Sequence, residues 1–149
     1  MNTRSAPRST SSMVLSAALV LAASLAAACG PTKYAVIGTD LVAGADGAVT
    51  ADVKRDQGTT KLTVRVEHLA PPARVKPGKT TFVAWQRKDS QTTWNRIGGL
   101  EYDEGNRRGE LAATVPETRF ELIVTAEDAV SVVSPSPDVV MTQMVADSH

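Results

Sequence analysis

Residues 61–67 read Lys-Leu-Thr-Val-Arg-Val-Glu, an unbroken alternation of polar and apolar side chains. Successive side chains of an extended strand point to opposite faces. Leu62, Val64 and Val66 therefore share one face, and Lys61, Thr63, Arg65 and Glu67 share the other. The period of two predicts a strand with one wet face, and it excludes an amphipathic helix there. The same reading puts Val49, Ala51 and Val53 together in 47–54, and Leu111, Ala113 and Val115 together in 110–115. In 119–127 it puts Phe120, Leu122, Val124 and Ala126 on one face with Ile123 opposite. Residues 80–88 are apolar on both faces, Phe82 and Ala84 on one and Val83 and Trp85 on the other, which predicts a central strand covered on both sides. Segments 33–44, 94–102 and 138–145 supply the remaining strands.

Turn signals separate these runs. They are Asp46-Gly47, Gly58 within 55–60, Pro77-Gly78, the polar loops 88–93 and 103–109, 115–118, and the Ser-Pro repeat at 134–137. Punctuation of this kind suits short antiparallel strands. No segment after residue 28 sustains a 3.6-residue apolar period over three turns. A single sheet of about seven or eight strands would leave one apolar face in water. The expected fold is an all-β, immunoglobulin-like antiparallel β-sandwich, with a small closed β-barrel as the alternative. The inter-sheet disulfide of immunoglobulin domains is excluded, because the chain has one cysteine.

That cysteine sits at the end of a distinct leader. Residues 1–12 are polar with Arg4 and Arg8, residues 13–28 are apolar apart from Ser16 and Ser24, and Cys29 follows Ala26-Ala27-Ala28. Positive, then apolar, then small is the order of a secretory signal. The apolar run is shorter than the roughly 20 residues that span a bilayer comfortably, although an uncleaved anchor stays open. The Leu25-Ala-Ala-Ala-Cys29 stretch resembles the lipobox of bacterial lipoproteins, with Leu25 one place further from the cysteine than usual. The resemblance implies cleavage between Ala28 and Cys29, lipidation of Cys29, and a membrane anchor. Plain signal-peptidase cleavage at the same bond is the other reading, and it would leave a free thiol. A lone exported cysteine has no internal partner, and lipidation gives it a purpose. Gly30 in place of Asp after the cysteine points, by the same resemblance, to the outer rather than the inner membrane. The expected organisation is a signal at 1–28, a lipidated tether at 29–33 and one domain at 34–149.

The whole chain holds 16 basic and 16 acidic residues. Removing residues 1–28, with two arginines and no acid, leaves 14 against 16 and a net charge of −2. This gives no basic stripe of the kind that binds nucleic acid.

Catalytic equipment is sparse. Nucleophilic catalysis needs a nucleophile beside a base. The only histidines are His68, at a strand end, and the last residue, His149. No Gly-x-Ser-x-Gly elbow exists. Zinc needs clustered Cys and His. The acidic run Glu101, Asp103, Glu104, Asn106 and Glu110 lacks the spacing of a calcium loop and contains Arg107 and Arg108, so it reads as a solvated hairpin loop. The residues imply no cofactor, no metal and no enzyme. Trp85 and Phe120 read as core, whereas Trp94 and Tyr102, flanking 96–100 and a polar loop, are the candidate binding surface.

Residues 80–140 carry an aromatic-rich strand ending in Trp85, a polar loop, the Gly-Gly-Leu segment at 98–100, the Val-Thr-Ala-Glu strand at 124–127 and a Pro-containing tail. In layout this resembles the extracytoplasmic domain of anti-sigma-K-type factors, and the resemblance implies a β-sandwich. The anti-sigma activity of that family resides in a separate cytoplasmic helical domain, often with a His and Cys zinc motif that these residues lack. The combined expectation is an envelope-anchored, non-catalytic interaction module whose partner is an envelope protein or a polysaccharide. A structural or assembly role is the alternative, and a hydrolase using dispersed carboxylates is the third reading.

Overall fold

The computed structural model describes residues 30–146. The described residues form nine strands: β1 (Thr32–Ile37), β2 (Asp46–Lys54), β3 (Thr59–Glu67), β4 (Thr81–Arg87), β5 (Asn95–Gly99), β6 (Glu101–Asp103), β7 (Arg108–Val115), β8 (Phe120–Glu127) and β9 (Val139–Val145). Among the described residues helix is confined to two 3-10 turns and the single turn α1 (Pro72–Val75). Two open antiparallel sheets result, ordered β1-β2-β3-β7-β6 and β5-β4-β8-β9. With β2 to β9 taken as A, B, C, C′, D, E, F and G, the orders become A-B-E-D and C′-C-F-G, with β1 added at the edge. That is the immunoglobulin-like arrangement, and neither sheet closes into a barrel.

The alternating faces meet as expected. Leu62, Val64 and Val66 are buried, as are Val49 and Ala51 opposite them, and they pack on Phe82, Phe120, Leu122 and Val124 of the second sheet. The 80–88 segment forms the central strand β4, buried on both faces from Phe82 to Gln86. Phe82 and Ala84 enter the inter-sheet core, while Val83 and Trp85 lie on the opposite face with Ile123. Trp85 is thus fully buried outside the main core, unlike the strand-C tryptophan of antibody domains, which faces the inter-sheet disulfide.

Three expectations change. The Asp46-Gly47 pair is not a turn: both residues lie in β2, paired with Ile37 and Val36 on one side and with Glu67 and Val66 on the other. The reversal runs through 38–45 instead, with Gly44 taking the positive φ of 92°. The expected first strand at 33–44 correspondingly ends at Ile37. The expected strand at 94–102 is two strands in different sheets, which raises the count to nine. The chain crosses between the sheets at Leu100, a buried residue whose N–H donates to the Phe82 carbonyl at 2.8 Å. The Pro77-Gly78 turn is present, with Gly78 at φ 89° and Lys79 N–H bonded to the Lys76 carbonyl.

The topology gives the sandwich two distinct ends. The chain enters β1 at the end that carries loops 55–58, 88–94 and 116–119, and β9 finishes there. At this end the Tyr34 hydroxyl bonds to Ala146, tying the first strand to the end of the last. Loops 38–45, 68–80, 104–107 and 128–138 occupy the other end. Strand β1 begins at Thr32, so the extended domain starts inside the expected tether. Ala28 and Cys29 lie outside the described residues.

Candidate functional site

The outer face of β5-β4-β8-β9 holds a shallow polar-apolar groove. Its floor is set by alternation: Ile123 of β8 and Val139 of β9 point away from the main core and pack with Val83 and Trp85. The segment 128–138 folds over this face as a strap. A chain of hydrogen bonds fixes it. Trp85 Nε1–H donates to Thr125 Oγ1 at 2.8 Å, the Thr125 hydroxyl donates to Glu127 Oε1 at 2.5 Å, and Ser136 N–H donates to the same oxygen at 2.7 Å. Ser136 Oγ also donates to the Ala126 carbonyl at 2.9 Å. Buried polar groups are tolerable when each is paired in this way.

The strap stops short of the far end of the sheet and leaves a shallow, open groove of about 630 Å³. Pro135 and Pro137 form one wall, Thr142 offers a hydroxyl, and Trp94 with Arg87 and Glu121 closes the end. The Arg87 guanidinium lies over the Trp94 ring, 4.3 Å from its centroid. It also donates through Nε and Nη2 to Glu121 Oε2, at 2.7 and 2.6 Å. A stacked cation and an ion pair together hold the ring and the carboxylate in fixed positions.

Behind the strap lies a second charged group. Asp138 accepts from Lys76 at 3.1 Å and lies 3.4 Å from Lys79, which also pairs with Asp128 at 3.0 Å. Burial pushes the Asp138 carboxyl up, but the hydrogen bonds and charges of Lys76 and Lys79 outweigh it and hold the carboxyl below its usual value. The hydrogen bond that Lys79 donates to Asp128 leads the effects that raise its ammonium above the usual value. These groups pin both ends of the strap and do not line the groove.

The two candidate aromatics separate. Trp94 is half-buried and lines the groove. Tyr102 belongs to the other sheet, its ring edge-on to Phe82 with centroids 5.3 Å apart. Its hydroxyl donates to the Leu69 carbonyl at 2.7 Å, so both the ring and the polar tip are engaged in the fold. Burial raises the Tyr102 phenol above its usual value. Arg87 and Glu121 carry no sequence signal of a site, and the strap shows only the Ser-Pro turn signal at 134–137. The Arg-Trp spacing of 87 and 94 across a polar loop carries no motif, and only the hairpin geometry brings the two together.

The acidic run at 101–110 forms a hairpin. Asp103 accepts from Asn106 N–H at 3.0 Å and from its side-chain amide at 2.6 Å, and these bonds hold its carboxyl low. Among the described residues no three His, Cys, Asp or Glu side chains group to hold a metal. His68 is exposed at a φ of 55°, with its Nδ1 2.7 Å from Asp46 Oδ1. No helix of the described residues is long and apolar enough to cross a membrane.

Against known protein-family models and curated protein sequences, the chain matches none.

Proposed function

We propose that this chain is a membrane-anchored lipoprotein of the cell envelope, held through Cys29, whose sandwich is a non-catalytic binding module. The observation that supports a binding role is the groove in which the Trp94 ring stands beside the fixed Arg87–Glu121 pair. An aromatic face provides stacking area, the ion pair provides a donor and an acceptor a short distance away, and Thr142 and Ser134 add hydroxyls. This combination suits an uncharged, hydroxyl-rich chain with apolar ring faces, so the favoured ligand is a polysaccharide strand of the envelope. The openness of the groove suits a chain that passes through rather than a small molecule that is enclosed.

Two experiments test the reading. Metabolic labelling with a palmitate analogue should mark the wild type and not Cys29→Ala; equal labelling of the two would remove the anchor. Titration with solubilised cell-wall glycan should perturb the tryptophan fluorescence of the wild type and leave Trp94→Ala unaffected. Glycan binding that survives Trp94→Ala, or no binding by the wild type, would reject the groove as the site. In-cell crosslinking followed by mass spectrometry separates the glycan reading from that of a structural lipoprotein, which would be recovered in a stoichiometric protein complex.

A further inference from the structure

The end of the sandwich from which the chain leaves toward Cys29 is also its basic end. Three residue steps separate Cys29 from Thr32, the first residue of β1. A fully extended chain covers about 11 Å over that span. If Cys29 carries the anchor, the loops at this end therefore lie at the bilayer surface.

The charges at this end follow a pattern. Two ion pairs, Lys54–Asp52 and Arg87–Glu121, neutralise themselves. Around them stand Lys33, Arg55, Lys61, Lys88 and Arg119, all exposed. Among the described residues the other acidic side chains at this end are Asp56, Asp89 and Glu117, so the formal count outside those two pairs is five cations to three carboxylates. Asp89 is turned inward on its own loop, accepting from Gln91 N–H at 2.9 Å. This end carries a net +2, while the rest of the described residues hold seven basic and ten acidic side chains, a net −3. The described residues thus form a charge dipole whose positive end is the one from which the chain runs back toward Cys29.

We infer that this end docks on an anionic phospholipid surface, so that the lipid chains and the basic loops hold the domain together. Cations close to a negative membrane surface are attracted over about a Debye length, roughly 10 Å at 0.1 M salt. The short tether keeps Lys33, four residues after Cys29, near that surface, Lys88 and Arg119 lie on loops of the same end, and the acidic end points away. Docked in this way, the Trp94 end of the groove opens beside the bilayer, and a strand bound there runs along the membrane surface.

The inference rests on the reading of Cys29 as the anchored residue, and the test supplies the anchor chemically. The chain from Cys29 onward contains every strand, and its thiol is coupled to a maleimide lipid in vesicles. Reductive methylation with formaldehyde then reports lysine accessibility by mass spectrometry. Vesicles of phosphatidylcholine are compared with vesicles of phosphatidylcholine mixed with phosphatidylglycerol. Lys33 and Lys88 should react several-fold more slowly on the anionic vesicles, Lys76 at the far end should react equally on both, and high salt should erase the difference. Charge reversal at Lys61 and Arg119 should restore the rates of Lys33 and Lys88. Equal rates on both vesicles, or a slowing that includes Lys76, would overturn the inference. A negative palmitate-labelling result would overturn the lipidation of Cys29 without altering this measurement, so the two failures are distinguishable.

Discussion

The indole N–H of Trp85 donates to the Thr125 hydroxyl at 2.8 Å, joining adjacent strands on the face of the sheet turned away from the main core. The same hydroxyl passes its own proton bond to Glu127, which holds the backbone of the strap at Ser136. Thr125→Val keeps the shape of the side chain and removes both bonds. It leaves a buried indole N–H unpaired and takes one donor from a carboxylate that is 3 % exposed. The expected loss of stability is about 1–3 kcal/mol, read from the urea midpoint. Hydrogen exchange should quicken at Ser136 N–H before the β4–β8 ladder is affected. A midpoint unchanged from wild type would show that the bonds do not hold the strap.

Asp138 gives the fold an acid dependence. Its carboxyl is held below its usual value, against the pull of burial, by Lys76 and Lys79. A carboxyl lowered in the folded state contributes stability that is fully present above its unfolded value and is lost as pH falls through the folded one. The wild-type urea midpoint should therefore fall as pH drops below about 4. Asp138→Asn should be less stable than wild type at pH 7 and should lose less on acidification. Parallel pH profiles for the two proteins would assign the acid sensitivity to other carboxyls, such as Asp103 and Glu110, which are also lowered.

The alternation made the strands legible because each sheet has one face in the core: Leu62, Val64 and Val66 announce themselves by period alone. Central placement of β4 was equally readable, since only a strand covered twice is apolar on both faces. What the sequence hid was tertiary. Residues 94–102 look like one strand because the crossing at Leu100 needs no turn residue, only a shift of hydrogen-bonding partner from Phe82's strand to β7. The Asp46-Gly47 pair has strong turn chemistry, yet pairing on both sides draws it into β2. Trp94, just before β5, and Tyr102, in β6, are close in sequence yet lie on different sheets' sides because the chain crosses at Leu100 between them. Glu121 shares the groove with Trp94 only because β8 lies beside β4.

Gly47 shows why that pair stays in the strand. A Cβ at this position would lie 2.1 Å from the Arg65 carbonyl oxygen on β3, a backbone atom that cannot rotate away. Glycine is required there for close approach of two strands, not for a turn. Gly47→Ala should force β2 and β3 apart and cost at least the 1–3 kcal/mol or so of an overpacked site. Gly98→Ala is the matched control, since its Cβ would meet only a Leu111 methyl at 3.4 Å. Thermal melts should show a large drop for the first and little change for the second. Equal melting temperatures would place the strand spacing elsewhere than at Gly47.

Arg87 faces two partners, and a double-mutant cycle separates them. Stacking on Trp94 should couple the two residues by about 0.5–1 kcal/mol, the range for a partly exposed cation and ring. The Arg87–Glu121 pair is about one-quarter exposed on each side, so it is screened by solvent and salt. Unfolding of Arg87→Met, Trp94→Leu and the double variant, repeated with Glu121→Gln in place of Trp94→Leu, gives both coupling energies. The Trp94 coupling should persist at high salt, because the cation sits against the ring with little water between them. The Glu121 coupling should shrink. If ligand binding falls in proportion to the Trp94 coupling, Arg87 acts by holding the ring. If binding falls with Arg87→Met while the coupling is near zero, the guanidinium contacts the ligand itself.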